Sequence, residues 1–227
     1  MQKPNTVESI LLAELNLRLP PLSFYKLVKE PSDWSFILKL HAILEGALTR
    51  LLERRLSESD FDETLTFMRK VQLAFELREL AHDNHYRSFL VTLNHLRNRF
   101  AHRAEYIVAD IPTVIQGIPT HKRSSVLQSL AVGIKIPGTT EDDPRNRIGR
   151  EEMTRKWPRY MIMMSAGYAL DMLSLAYYFQ MGKDGEFYFE EYRSKLQDLL
   201  HDPEVIELRR KIEAEFPDDD SADAGDA

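Results

Sequence analysis

The sequence predicts an all-α protein, a helical bundle of five to six principal helices with a loop-rich insertion ahead of a long helix in the C-terminal half. Three observations carry this. Apolar residues recur at three- and four-residue steps along most of the chain. No segment alternates apolar and polar residues as a half-buried strand would. The longest apolar segment, YMIMMSAGYALDMLSLAYYFQM (160–181), has the length and composition of a buried helix.

The elements follow in order. Residues 6–17 read as a short amphipathic helix stopped by Pro20 and Pro21. Ser32 is a fitting N-cap with Asp33 in the first turn, and Ile37, Leu40, Leu44, Leu48 and Leu51 line one face of the helix as far as Leu56. A second helix is expected from Phe61 to Leu80, using Leu65, Met68, Phe75 and Leu77. A third runs from about Tyr86 toward His102, after a break at AHDNHY. IPTVIQGIPT (111–120) reads as loop or short extended structure because of its prolines and glycine, residues 122–134 as a further helix, and PGTTEDDPRNRIGR as loop. The long segment 160–181 could span a membrane by length, but Asp171 at its centre favours a buried bundle helix. Terminal helices are expected near 187–200 and 203–215.

This divides the chain into an N-terminal helix and linker (1–30), a bundle (31–182) with its insertion at about 104–155, terminal helices (183–216), and a disordered acidic tail (217–227). Five aspartates after Glu215 account for five of the net −6 charges, so the body is nearly neutral and bulk positive charge does not explain any nucleic-acid role. Cysteine is absent, which removes disulfides and thiolate metal sites. The N-terminus lacks the basic start and apolar run of a secretory signal, and the reading is cytoplasmic with no membrane segment. No glycine-rich phosphate loop of either familiar spacing occurs.

The chemistry concentrates in LNHLRNRFAHR (93–103). At 100° per residue, Phe89, Leu90, Leu93, Leu96 and Phe100 form a core stripe, while Val91, His95, Asn98 and His102 point away. Arg97 lies about 40° from Leu93, on the apolar side. Guanidinium cannot shed its charge, so this position needs a carboxylate partner or an anion. Glu45 and Asp171 are the two carboxylates in apolar settings, and a buried ion pair with either would make Arg97 a structural tie. Arg97 and His102 diverge by about 140° on an ideal helix. They could meet on one phosphate if the helix loosened near Ala101, if Arg97 reached around the edge, or if a second copy supplied one of them.

Other clusters are weaker. His41 and Glu45 stand one turn apart, a metal-compatible spacing without an evident third ligand, so no metal is expected. His82, Asp83, Asn84 and His85 read as turn and capping residues, and Tyr160, Tyr168, Tyr177 and Tyr178 as core or interface aromatics. Arg145, Arg147 and Arg150 open a basic stretch reaching Arg159, either a solvated loop before a helix or a positive lip beside a substrate groove.

Arg97-Asn98-Arg99-Phe100-Ala101-His102, an R-x4-H pattern with a polar residue after the arginine, resembles the signature of the HEPN superfamily of all-helical nucleases and toxins. The segment from His41 to His102 looks similar to its mannitol-operon-repressor-like and uncharacterised bacterial branches, and the resemblance covers about residues 33–180. It implies metal-independent, cofactor-free RNA cleavage in a toxin or defence effector. His102 would be general acid or base, Arg97 would stabilise the phosphate, and Asn98, Arg99 and Glu45 would have supporting roles. It also implies a homodimer, and an antitoxin or regulatory protein as a partner. In a toxin branch regulated by nucleotidylation the motif continues as R-x4-H-x-Y. Here the tyrosine comes later, at Tyr106, so that regulation is not implied. The alternative is a non-catalytic helical regulator or protein-interaction module in which Arg97 is a buried ion-pair residue.

Overall fold

A computed structural model of the chain describes residues 6–20, 22–56, 64–77, 84–136, 138–140 and 143–179, with residues 201, 203, 206, 207 and 210. Among the described residues the ordered elements are all helical. They are α1 (Thr6–Asn16), α2 (Ser23–Lys26), α3 (Asp33–Arg55), α4 (Phe67–Glu76), α5 (Asn84–His102), α6 (Ile111–Gln116), α7 (Thr120–Ser129), α8 (Pro144–Lys156) and α9 (Pro158–Phe179). Single turns of 3-10 helix follow α2 and α5. The expected helix 187–200, the acidic tail, and His82 and Asp83 lie outside the described residues; of the expected helix 203–215 only residues 203, 206, 207 and 210 are described, and all four are helical.

Helix α3 is the centre of the bundle. With Ile37, Leu40, Leu44, Leu48 and Leu51 buried, it packs against α9, α5 and α4, and α1 also packs on α9. Ser32 caps α3 as its spacing predicts, its side chain accepting a hydrogen bond from the Ser35 amide. Helix α4 begins at Phe67, six residues later than expected, because Thr66 in an extended conformation accepts from the Arg69 amide and sets the start there.

Two segments read as loop are helical. Residues 111–116 form α6, capped by Asp110 accepting from the Thr113 amide at 2.8 Å. Arg145 and Arg147 lie inside α8, capped by Asp143. Each has a proline in its first turn, Pro112 and Pro144, where no intrahelical amide donor is needed and the fixed φ favours helix. The prolines that looked like breakers are helix starts.

Helix α9 buries Ile162, Ser165, Ala166, Ala169, Leu170 and Leu173, but it is not enclosed all round: Leu175 is 50% exposed and Tyr168 37%. Among the described residues no helix is long and apolar enough to cross a membrane. Asp171 is half-buried and hydrogen-bonded to Ser9 of α1, and burial raises its pKa from 3.8 to about 6. Gly167 faces the same helix; a Cβ there would sit 3.1 Å from Ile10 Cδ1, so its absence lets α1 and α9 approach closely.

Candidate functional site at the end of helix α5

Helix α5 carries the Arg97–His102 motif on a regular helix through His102. Phe89, Leu90, Leu93, Leu96 and Phe100 are all buried, as the helical projection requires. Arg97 is half-buried beside them, and His102, the last helical residue, is exposed. The helix does not loosen at Ala101. The two backbone directions therefore keep their separation of about 140°.

The ion pairs considered for Arg97 do not form. Its Nη1 donates to Asn98 Oδ1 at 3.1 Å, and among the described residues no carboxylate lies within ion-pair distance. Glu45 is engaged elsewhere: Lys70 Nζ of α4 stands 3.2 Å from its Oε1, and His41 Nδ1 stands 3.8 Å from its Oε2. Asp171 is occupied with Ser9. The half-buried guanidinium is thus left with an amide as its hydrogen-bond partner.

His41, Lys70 and Asn94 belong to one polar cluster between α3, α4 and α5, and all three are buried. His41 Nε2 and Asn94 Oδ1 are 3.2 Å apart, and the imidazole stacks at 39° on the Phe67 ring, with centroids 4.1 Å apart. Burial is the main reason the His41 pKa falls below its usual value; the Arg97 charge pushes the same way, while Asn94 and Glu45 oppose. The cluster is no metal centre. Its third member after His41 and Glu45 is the Lys70 ammonium, which repels a cation, and the described residues hold no group of three metal-ligating side chains.

Trp34 and Gly117, which sequence reasoning passed over, shape the end of α5 together with Tyr106 and Arg99. Trp34, in the first turn of α3, donates from Nε1 to the Phe100 carbonyl at 3.2 Å, satisfying one of the orphan acceptors of a helix C-terminus. Tyr106 folds back in the turn after the motif so that its hydroxyl reaches Gly117, where a Cβ would come within 2.4 Å of it. Arg99 Nη1 donates to the Gly117 carbonyl at 3.4 Å. Asn94 carried a signal, since it stands one turn before Arg97 and Asn98; Trp34 and Gly117 carried none, because both act across long sequence separations.

The basic stretch is distributed differently from a single lip. Arg145, Arg147 and Arg150 lie on one helix but not on one face, Arg145 pointing about 140–160° away from the other two. Arg145 is spent on its own cap, its guanidinium within 2.7–3.2 Å of the Asp143 carboxylate, which holds Asp143 below the usual carboxylate range. Arg147 is exposed, and Arg150 is half-buried with no partner for its Nε among the described residues. Arg159 is bound to Asp33 and donates to the Glu30 carbonyl at 2.7 Å, while Asp33 also accepts from the Ile111 amide at 2.6 Å, tying together the starts of α3, α6 and α9. His85 and Asn84 form the first turn of α5.

No protein-family model, curated protein or solved structure matches the chain.

Proposed function

We propose that the protein is a metal-independent endoribonuclease of HEPN type, with Arg97 and His102 as its reactive pair and two copies of the chain contributing to one site. The observation that carries this is Arg97, a half-buried guanidinium with no carboxylate partner among the described residues, on the same helix as an exposed histidine at R-x4-H spacing. A guanidinium left uncompensated beside the core suits an anionic ligand, and the planar fork fits phosphate oxygens. The alternative role of Arg97, a structural ion-pair residue, loses support because Glu45 and Asp171 are engaged elsewhere.

The chemistry follows from the residue types. The ribose 2′-oxygen attacks the adjacent phosphorus while histidine takes the hydroxyl proton; the bond from phosphorus to the 5′-oxygen breaks, and the leaving oxygen receives a proton. The products are a 2′,3′-cyclic phosphate and a 5′-hydroxyl end. Arg97 stabilises the charge gathered on the non-bridging oxygens, and Asn98 holds its guanidinium at 3.1 Å. Because Arg97 and His102 diverge on one helix, we assign the second proton-transfer group to the other copy. A toxin or defence role under the control of a partner protein, acting in the cytoplasm, completes the reading.

The test is cleavage of several RNAs in the presence of EDTA, with end-group analysis. His102→Ala is expected to lower the rate by about 10²–10⁴-fold with unchanged circular dichroism. Arg97→Ala is expected to do likewise with little loss of stability. Absence of cleavage by the purified dimer across RNAs and salt concentrations overturns the enzyme reading in favour of a binding module.

A further inference from the structure

A cleft of about 340 Å³ opens between α6, α7, α8 and the start of α9. Its walls are apolar, from Pro112, Ile115, Leu127 and Pro158, and two arginines, Arg123 and Arg155, line it as well. Arg123 is held rigidly: Nε donates to the Ile118 carbonyl at 2.8 Å and Nη2 to the Gln116 carbonyl at 2.5 Å. Among the described residues no carboxylate neutralises it. Arg155 reaches Glu151 only at 3.4 Å, and that carboxylate already accepts from Ser124 at 2.5 Å and Gln128 at 2.7 Å. Burial opposes the charge on Glu151, but hydrogen bonds from Ser124 and Gln128 and the Arg155 and Arg147 charges outweigh it and hold its pKa below the usual value.

The cleft is joined to the motif helix through one loop. Arg123 grips residues 116 and 118 from one side, and Arg99, one turn before His102, donates to Gly117 between them. Arg99 and His102 point within about 60° of each other on α5, so the cleft lies beyond this loop on the His102 side of the motif helix.

We propose that this cleft is a subsite for one unpaired nucleotide of the RNA strand, its base between the apolar walls and its phosphate at Arg123 and Arg155. The inference rests on the ribonuclease reading. The volume lies at the small end of ligand pockets. Apolar or aromatic faces for the base combined with basic groups for the backbone are how single strands are held without sequence readout. A paired base in a duplex is stacked and cannot enter, so the subsite selects single-stranded over double-stranded RNA.

The test uses the His102→Ala protein, which holds substrate without turning it over, and fluorescence anisotropy with a labelled single-stranded RNA and its duplex. Adding Arg123→Ala and Arg155→Ala is expected to weaken single-strand binding about tenfold or more and flatten its salt dependence, with duplex binding unchanged. Arg155→Glu, on an exposed side chain that anchors no backbone, is expected to act in the same direction and guards against misfolding of the Arg123 variant. Equal single-strand affinity with and without these changes overturns the subsite and leaves the ribonuclease reading standing. If the His102→Ala protein binds no RNA at any salt concentration, both fall.

Discussion

His41 Nε2 lies 3.2 Å from Asn94 Oδ1, joining α3 to α5 one turn before Arg97. If Nε2–H donates to the amide oxygen, the neutral ring turns its Nδ1 lone pair toward Glu45, 3.8 Å away, and only protonation would make that contact attractive. Burial and the Arg97 charge resist protonation. A positive charge on His41 and one on Arg97 compete for the same low-dielectric corner.

That competition predicts a pH effect. The folded pKa of His41 is lowered, so the unfolded chain binds the extra proton first as pH falls, and stability is lost below the unfolded value near 6.5. In an Asp171→Asn background, which removes an opposing titration in the same window, thermal unfolding should show a declining Tm on acidification from pH 7 toward pH 5. His41→Gln should flatten this slope while lowering Tm at pH 7. An unchanged slope would show that His41 is not its source.

Asp171 behaves in the opposite sense. Its folded pKa is raised from 3.8 to about 6, so the fold favours the protonated carboxyl and loses stability as pH climbs through that interval. The difference corresponds to a ceiling of about 3 kcal/mol, reduced by the solvent that reaches a half-buried side chain. Asp171→Asn should therefore raise Tm by several degrees at pH 7.5, with the gain fading toward pH 4. An ion pair with Arg97 would have made the same substitution strongly destabilising.

Glu45 and Lys70 differ in what each leaves behind. The Lys70 side chain is 7% exposed and that of Glu45 35%, so removing the carboxylate strands the more buried charge. Glu45→Ala should cost about 3 kcal/mol in urea denaturation, and Lys70→Met clearly less, since Glu45 can turn to water. Equal costs would mean that the pair is solvated from both sides.

Gly117→Ala should drive its new methyl into the Tyr106 hydroxyl, which stands 2.4 Å from the Cβ position. We expect a loss of about 1–3 kcal/mol, of which Tyr106→Phe in the same chain restores a large part. Additive costs in that double-mutant cycle would show that the two residues do not meet.

Trp34→Phe keeps the ring in place and removes the donor to the Phe100 carbonyl. The expected cost is about 1–2 kcal/mol, together with faster amide exchange in the last turn of α5. Unaltered exchange there would remove Trp34 as the clamp on the motif helix.

Much of the bundle could be read from periodicity, since the core stripe of α5 and the capped start of α3 are local matters of spacing and a single side chain. Helices α6 and α8 were not legible because their first-turn prolines carry the same local signal as a breaker, and their apolar faces are too short to show a period. At the candidate site the oddity of Arg97 was visible in the helical projection. Its lack of a carboxylate was not: Glu45 and Asp171 are committed to Lys70 and Ser9, and these pairings join residues 25 and 162 positions apart. Lys70 was not legible as a buried cation either, because a lysine in an amphipathic helix ordinarily marks the wet side.

The Glu14 carboxylate is buried to 1% exposure and accepts three hydrogen bonds, from the Leu22 amide at 2.8 Å, the Ser23 hydroxyl at 2.9 Å and the Phe24 amide at 2.7 Å. It thereby holds the chain in the tight reversal at Leu22, whose φ of 62° is left-handed, and sets Phe24 and Tyr25 into the core. A recombinant fragment cut to begin at residue 31 would look reasonable from the motif alone. It would strip from α9 the contacts that Ile10, Ser9 and Asn16 make with Gly167, Asp171 and Ser174, and leave α9 without the helix packed on it. The smallest portable unit of this protein begins at α1, and any fusion, crystallisation or transplant design has to carry that helix with it.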